Sequence, residues 1–235
     1  MAADSAYAIR FTDSQIEFLK WVAMAAMVID HSNKILFGGA YEAMMWIGRL
    51  SFPIFALLIA YHYEFHTRRK SRYFLRLLIF AILSQPIYWQ AFHVANLNVL
   101  FTLAMGFAMI WYYDHFHAAI NAGDKSKIAG GLCLAALCFA IASRVDYYQC
   151  GVMLVPLSVL WLRLNKNIFL MCLFVMTSIA NITSTYAFFA LLSYGVIVAA
   201  MIMRMSIPRL PRYFYYFFYP LHLAALIAIG RYLIP

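Results

Sequence analysis

Asp30 and His31 stand side by side inside the apolar run Phe18–Phe37, and Arg49, followed by Ser51 and Pro53, stands inside the next run, Ala43–Tyr63. An ionisable group in a hydrocarbon-spanning helix costs ~2.5–3.5 kcal/mol on insertion scales, so it persists where it has a partner or a task. A neutral imidazole accepts a proton near pH 7, which makes His31 the candidate general base. Asp30 cannot orient His31 through its own helix, because adjacent residues point to different faces. Arg49 is the obvious partner, as a bidentate Asp–Arg pair. Alternatively its guanidinium holds a carboxylate, a phosphate or a developing oxyanion. Pro53 removes one backbone donor and is expected to break the helix near Arg49, where Gly48 permits close helix approach. His222, two residues after Pro220 in YYFFYPLHLAAL, is a second base or a polar ligand to substrate. Each residue also has a plainer reading: a histidine on a helix carbonyl, an ion pair that only locks two helices, a helix–helix hydrogen bond.

Two weaker signals accompany these. Asp146 precedes Tyr147 and Tyr148 at a turn, where it pairs with Arg144 or recognises an amine. The cluster Arg68, Arg69, Lys70 and Arg72 has the composition of an ordinary positive loop, of a lipid-headgroup contact, or of a site for a cofactor with several phosphates. The four cysteines, Cys133, Cys138, Cys150 and Cys172, have no metal-ligand spacing, and no metal is expected.

The elements that must position these groups are transmembrane helices. The chain of 235 residues is 66% hydrophobic and 11% charged, with mean hydropathy +0.77. Soluble domains carry ~25% charged residues. The fold class is therefore all-α, a polytopic membrane helical bundle. A span needs ~20 apolar residues, so about nine fit, as one integral membrane domain over residues 1–235. Hydropathy places them near 17–38, 43–63, 72–92, 95–113, 127–144, 147–163, 167–183, 185–204 and 213–232, with 114–126 as the longest turn. Thr12-x-x-Gln15 and Ser14-x-x-Glu17 both fit a capping box before the first run, and no cleavable signal pattern precedes it, so the first span is expected to be retained. The net charge of +9 is explained by loops and not by nucleic acid. Arg10, Lys20, the cluster from Arg68 to Arg76, Lys125, Lys127, Arg163, Lys166, Arg204, Arg209 and Arg212 fall on one side, against Lys34, Arg144 and Arg231 on the other. That bias places the N-terminus in the cytoplasm and the C-terminus outside. Asp30, His31, Arg49 and Asp146 then lie between the membrane centre and the outer face, with His222 near mid-membrane.

The pattern LKWVAMAAMVIDH, a short turn and WIGRLSFPIFALLIAY resembles the TraX family, as do the terminal FYPLHL and the DYYQCGV segment, which is similar to that family's Asp-Tyr-Gly-type turn. The resemblance runs over nearly the whole chain and is most specific in the Asp-His pair and the Gly-Arg-x-x-Phe-Pro stretch. It departs at Tyr148, where glycine is expected, which bears on how tightly the turn closes. The family is typified by the conjugative F-pilin acetylase and is distantly similar to other multi-span acyltransferases with an intramembrane histidine. The resemblance implies an inner-membrane enzyme that moves acetyl from acetyl-CoA to the N-terminal amine of mature pilin. It implies Asp30, His31, Arg49 and His222 as active-site positions. The basic loop Arg68, Arg69, Lys70 and Arg72 suits the phosphates of the donor. The same residues are compatible with transfer to a cell-surface sugar hydroxyl, with a proton-coupled carrier, and with a non-catalytic assembly factor.

Overall fold

The computed structural model describes residues 9–181 and 184–233. The polar N-terminal eight residues, the last two, and the end of the seventh expected span at 182–183 lie outside the described residues. All regular structure among the described residues is helical: α1 (Asp13–Leu36), α2 (Glu42–Gly48), α3 (Ser51–Tyr61), α4 (Lys70–Phe92), α5 (Val99–Asn121), α6 (Lys125–Ile141), α7 (Tyr148–Leu164), α8 (Asn167–Ala180), α9 (Ser184–Ile202) and α10 (Arg212–Leu233). Five stretches are long and apolar enough to cross a membrane: Glu42–His66, Lys70–Phe92, Lys125–Arg144, Thr185–Ile202 and Tyr213–Tyr232. The apolar helices α7 and α8 are shorter, and α1 and α5 carry ionisable groups along their length. The chain is multi-helical and compatible with a multi-pass membrane protein; large apolar side chains face outward, such as Ile82 (56% exposed) and Phe139 (67%). Lipid satisfies such surfaces where water does not.

Local chemistry accounts for the element ends. Of the two capping boxes that fit the sequence, Thr12 and Gln15 form the real one: the Gln15 N–H donates to Thr12 Oγ1 (3.3 Å) and the Thr12 N–H to Gln15 Oε1 (2.8 Å). Ser14 instead accepts from the Ile207 N–H, tying α1 to the 203–211 segment. The expected long turn at 114–126 is corrected to a short one. The segment DHFHAAIN continues α5 as far as Asn121, because Gly123, at φ +68°, provides the left-handed stop. Asp124 then caps α6 by accepting from the Lys127 N–H.

Six helices close a ring. In spatial order they are α1, α10, α4, α5, α7 and α3, with α3 returning to α1. The helix α6 packs on α5 outside this ring, and α8 and α9 pack over α7, α3 and α1. Arg163 of α7 forks onto Glu64 and Asp114, at 2.8 and 2.9 Å, and so ties α7 to α5 and to the π-helical turn His62–His66 that follows α3.

Candidate active site

The expected helix break lies at Arg49–Leu50, between α2 and α3. Pro53 occupies the first turn of α3, where its missing N–H costs little. Gly48 closes α2 directly against α1, and a methyl on Gly48 would overlap the Asp30 side chain. This approach brings Arg49 to Asp30, although not as a bidentate pair: the nearest approach is Arg49 Nη2 to Asp30 Oδ1 at 3.7 Å. Lys34 takes the close position, donating to Asp30 Oδ2 at 2.6 Å from one turn along α1. The buried Oδ1 is left without a hydrogen bond. Lys34 had a legible signal in its i,i+4 spacing from Asp30. Arg49 donates weakly to the Met45 carbonyl (3.4 Å), and its guanidinium lies 5.0 Å from the Tyr186 ring.

His31 and His222 meet across α1 and α10. His31 Nδ1 is 2.8 Å from His222 Nε2, with 9° between the ring planes. His222 Nδ1 is 2.8 Å from the Phe218 carbonyl, which can only accept. The chain of bonds therefore assigns the tautomers: His222 donates from Nδ1 and accepts at Nε2, so His31 donates from Nδ1. The lone pair of His31 is left at Nε2, which makes no hydrogen bond among the described residues. Phe92 and Tyr219 set edge contacts on the His31 ring, at 5.0 and 6.4 Å between centroids. The relay thus fixes a neutral, oriented base in an aromatic box.

Asp30, His31 and Arg49 line one cavity of about 520 Å³, together with Lys34, Tyr88 and Asp146. His222 stands behind His31 and not on the wall. The structure thus joins the four residues that the sequence singled out, three on the wall and one in support. Asp146 is the addition that sequence reasoning gave little weight. Its turn is clamped by the Leu97–Val145 bridge, in which the Leu97 N–H donates to the Arg144 carbonyl (2.7 Å) and the Asp146 N–H to the Leu97 carbonyl (3.1 Å). Thr102 Oγ1 donates to the Asp146 carbonyl (2.7 Å) and Tyr88 Oη to Asp146 Oδ1 (2.7 Å). Among the described residues no cation pairs with Asp146, Arg144 included, and burial pushes its carboxyl up to about 6. A half-buried carboxylate with no paired cation favours a cationic ligand.

The next two residues carry backbone strain. Tyr147 and Tyr148 have φ of +61° and +51°, the region that favours glycine. Stacking on Phe52, with centroids 4.1 Å apart, holds Tyr147 there. The tyrosine at 148 therefore leaves the turn as tight as a glycine would make it, at a cost of roughly 1–2 kcal/mol. Tyr148→Gly is expected to stabilise the folded protein by about 1 kcal/mol, read as a raised thermal midpoint in detergent; an unchanged or lowered midpoint overturns this account of the strain.

At the other end of the bundle a second cavity, of about 940 Å³, is lined by Arg68, Arg69 and Arg72 with Lys20, Arg76 and Arg209. Lys70 does not line it: its ammonium lies 3.6 Å from the Tyr63 ring centroid and 3.6 Å from Asp114. Asp13 and Glu17, the acidic groups of this cavity, are engaged by Arg209 and Lys20. The remaining balance is strongly positive. Arg76 is a further arginine here, and its Nε is buried without a hydrogen bond.

The family model described as TraX protein matches residues 15–230. The chain belongs to the TraX family. It is 27% identical to "Protein TraX" of Escherichia coli over 92% of this chain and 87% of that protein. It is also 33% identical over 102 residues to "Probable fimbrial assembly protein FimC, serogroup H1" of Dichelobacter nodosus, a match that covers 37% of this chain and 41% of that relative's length. No solved structure matches the chain significantly. The matched residues include Asp30, His31, Arg49 and His222 and the arginines of the second cavity.

Proposed function

We propose that this TraX-family protein is a membrane acetyltransferase that transfers acetyl from acetyl-CoA to the N-terminal α-amine of mature pilin in a conjugation system. The observation that carries this reading is the His222-to-His31 relay, which leaves the lone pair of His31 Nε2 in a cavity shared with Arg49 and Asp146. His31 takes a proton from the attacking amine as the C–N bond forms. Arg49, at the helix break, stabilises the oxyanion of the tetrahedral intermediate. The C–S bond then breaks, and the proton held by His31 passes to the departing thiolate. The products are an acetylated amine and a free thiol. Asp146 receives the incoming ammonium and takes its first proton, so that a neutral amine attacks, and returns that proton to water after transfer.

The placement of charge supports the orientation in this reading. The basic cavity faces the cytoplasm, where its arginines hold the phosphates of the donor. The histidine cavity lies toward the outer face of the inner membrane, where a processed pilin presents its amine. On this reading nine crossings are proposed for the ring and its outer helices, with α2 and α3 as one broken span. The relative named as a fimbrial assembly protein fits an acceptor from a surface appendage.

The test is the intact mass of the candidate pilin from cells with the protein and from cells without it. A gain of ~42 Da, the mass that N-terminal acetylation adds, is expected only with the protein. Equal masses exclude pilin as the acceptor. A second acceptor class, a sugar hydroxyl, suits the same base and oxyanion site, but gives Asp146 no cation to meet.

A further inference from the structure

The two cavities share four wall residues: Phe55 of α3, Leu100 and Leu103 of α5, and Tyr215 of α10. They therefore meet end to end at a neck walled by Phe55 on one side, by Leu100 and Leu103 on a second and by the Tyr215 phenol on a third. Tyr215 is fixed in place. Its hydroxyl donates to Glu17, and the Lys20 ammonium, bonded to Glu17 at 2.7 Å, lies 4.2 Å over its ring. Single helix faces run the length of the path. The wall positions Ser51, Phe52, Phe55, Leu58 and Ile59 of α3, continued by His62 of the π-helical turn, repeat at the three- and four-residue spacing of one face. On α1, Lys20 belongs to the basic cavity and His31 to the other. Their separation along the helix gives ~16 Å of rise.

That length decides what can use the path. A molecule whose charged head rests among the arginines reaches His31 only on an arm of at least that length. The arm must be thin, and it must be uncharged, since Phe55, Leu100 and Leu103 offer it no counter-ion. We propose that the neck is a binding subsite for the long uncharged arm of a phosphorylated thioester donor. The head stays among Arg68, Arg72 and Arg76 while the acyl end is presented to His31. The proposal rests on the acetyltransferase reading for the identity of the donor and adds where its arm lies. Arg76 stands one turn beyond Arg72 toward the neck, and its buried, unpartnered Nε meets the junction of head and arm.

The test uses the full-length Leu100→Cys protein and follows alkylation of residue 100 by N-ethylmaleimide, read on the peptide by mass spectrometry. Two probes are compared, each at ten times its Kd. Desulfo-coenzyme A carries head and arm without a thiol, and 3′-phospho-ADP is the head alone. Desulfo-coenzyme A is expected to slow alkylation about tenfold, as its occupancy dictates, and 3′-phospho-ADP to leave the rate unchanged. Equal protection by both, absence of protection by bound desulfo-coenzyme A, or failure of both to bind overturns the proposal. A second variant keeps the result independent of that one side chain. Leu103→Trp is expected to bind 3′-phospho-ADP and lose acetyl transfer. Leu83→Trp, on the outward side of α4 (58% exposed), is expected to keep both. Transfer by Leu103→Trp at the normal rate likewise overturns the proposal. Protection at residue 100 with no acetyl transferred to any acceptor by the normal protein sinks the enzymatic reading and leaves the neck assignment in place; transfer with residue 100 unprotected does the reverse.

Discussion

His31→Gln is expected to lower acetyl transfer by about 10²–10⁴-fold at matched membrane abundance, the range a general base contributes. Glutamine keeps a side chain that can donate to His222 Nε2, so the packing of α1 against α10 survives while the proton acceptor is lost. His222→Leu tests the relay separately. It removes the acceptor that holds the His31 proton on Nδ1, and the base then divides its time between tautomers and ring orientations. The expected loss is ~10–100-fold, the scale seen where the group orienting a ligating histidine is removed. It falls on kcat and leaves the KM for the donor unchanged, because the donor head binds at the other end of the bundle. His222→Gln, whose amide oxygen can accept from Nδ1, is expected to recover most of the rate. A merely structural His222 gives a different result, in which all its variants lower abundance and not turnover. If His31→Gln retains a tenth or more of normal turnover, the proton goes elsewhere and the mechanism fails.

The candidate site was legible in the sequence because the membrane makes ionisable residues conspicuous. Asp30, His31, Arg49 and His222 stood out against apolar runs, and the structure brings them within one cavity and its support. What the sequence could not show was who pairs with whom. The His31–His222 bond joins α1 to α10 across nearly the whole chain, and no local spacing encodes it. The bidentate Asp30–Arg49 pair failed for a local reason: Lys34, one turn away, reaches Asp30 first. Arg68, Arg69 and Arg72 of the basic loop line one cavity, but the membership of that cavity differs from the loop's. Lys70 turns to Tyr63 and Asp114, and Arg76, already inside the helix, joins the cavity. In the fold, hydropathy found the runs but not the ends. The amphiphilic tail of α5 reads as loop until Gly123 is recognised as its stop.

The division of labour around Asp30 gives the second large effect. Arg49→Gln is expected to lower transfer by about 10²–10³-fold, the cost of removing one oxyanion donor. Its effect on stability is expected to be small, since Lys34 still holds Asp30 at 2.6 Å. Lys34→Met is expected to do the opposite. It leaves the buried carboxylate with its other cation 3.7 Å away, and because the Lys34 side chain is itself 36% exposed the expected cost is about 1.5–3 kcal/mol, the worth of one charge-assisted hydrogen bond. Arg49 can close that gap, so the variant keeps part of its activity as far as it stays folded. Asp30→Asn separates the two roles in one cycle. If Arg49 serves only to neutralise Asp30, Asp30→Asn restores the activity of Arg49→Gln, because no charge is left to neutralise. If Arg49 faces the reacting carbonyl, the loss persists undiminished in the double variant. The geometry favours persistence: a guanidinium devoted to Asp30 would form the short forked pair that its donors allow. Here it stands off at 3.7 Å beside an unbonded carboxylate oxygen, at the point where the α2–α3 helix is broken.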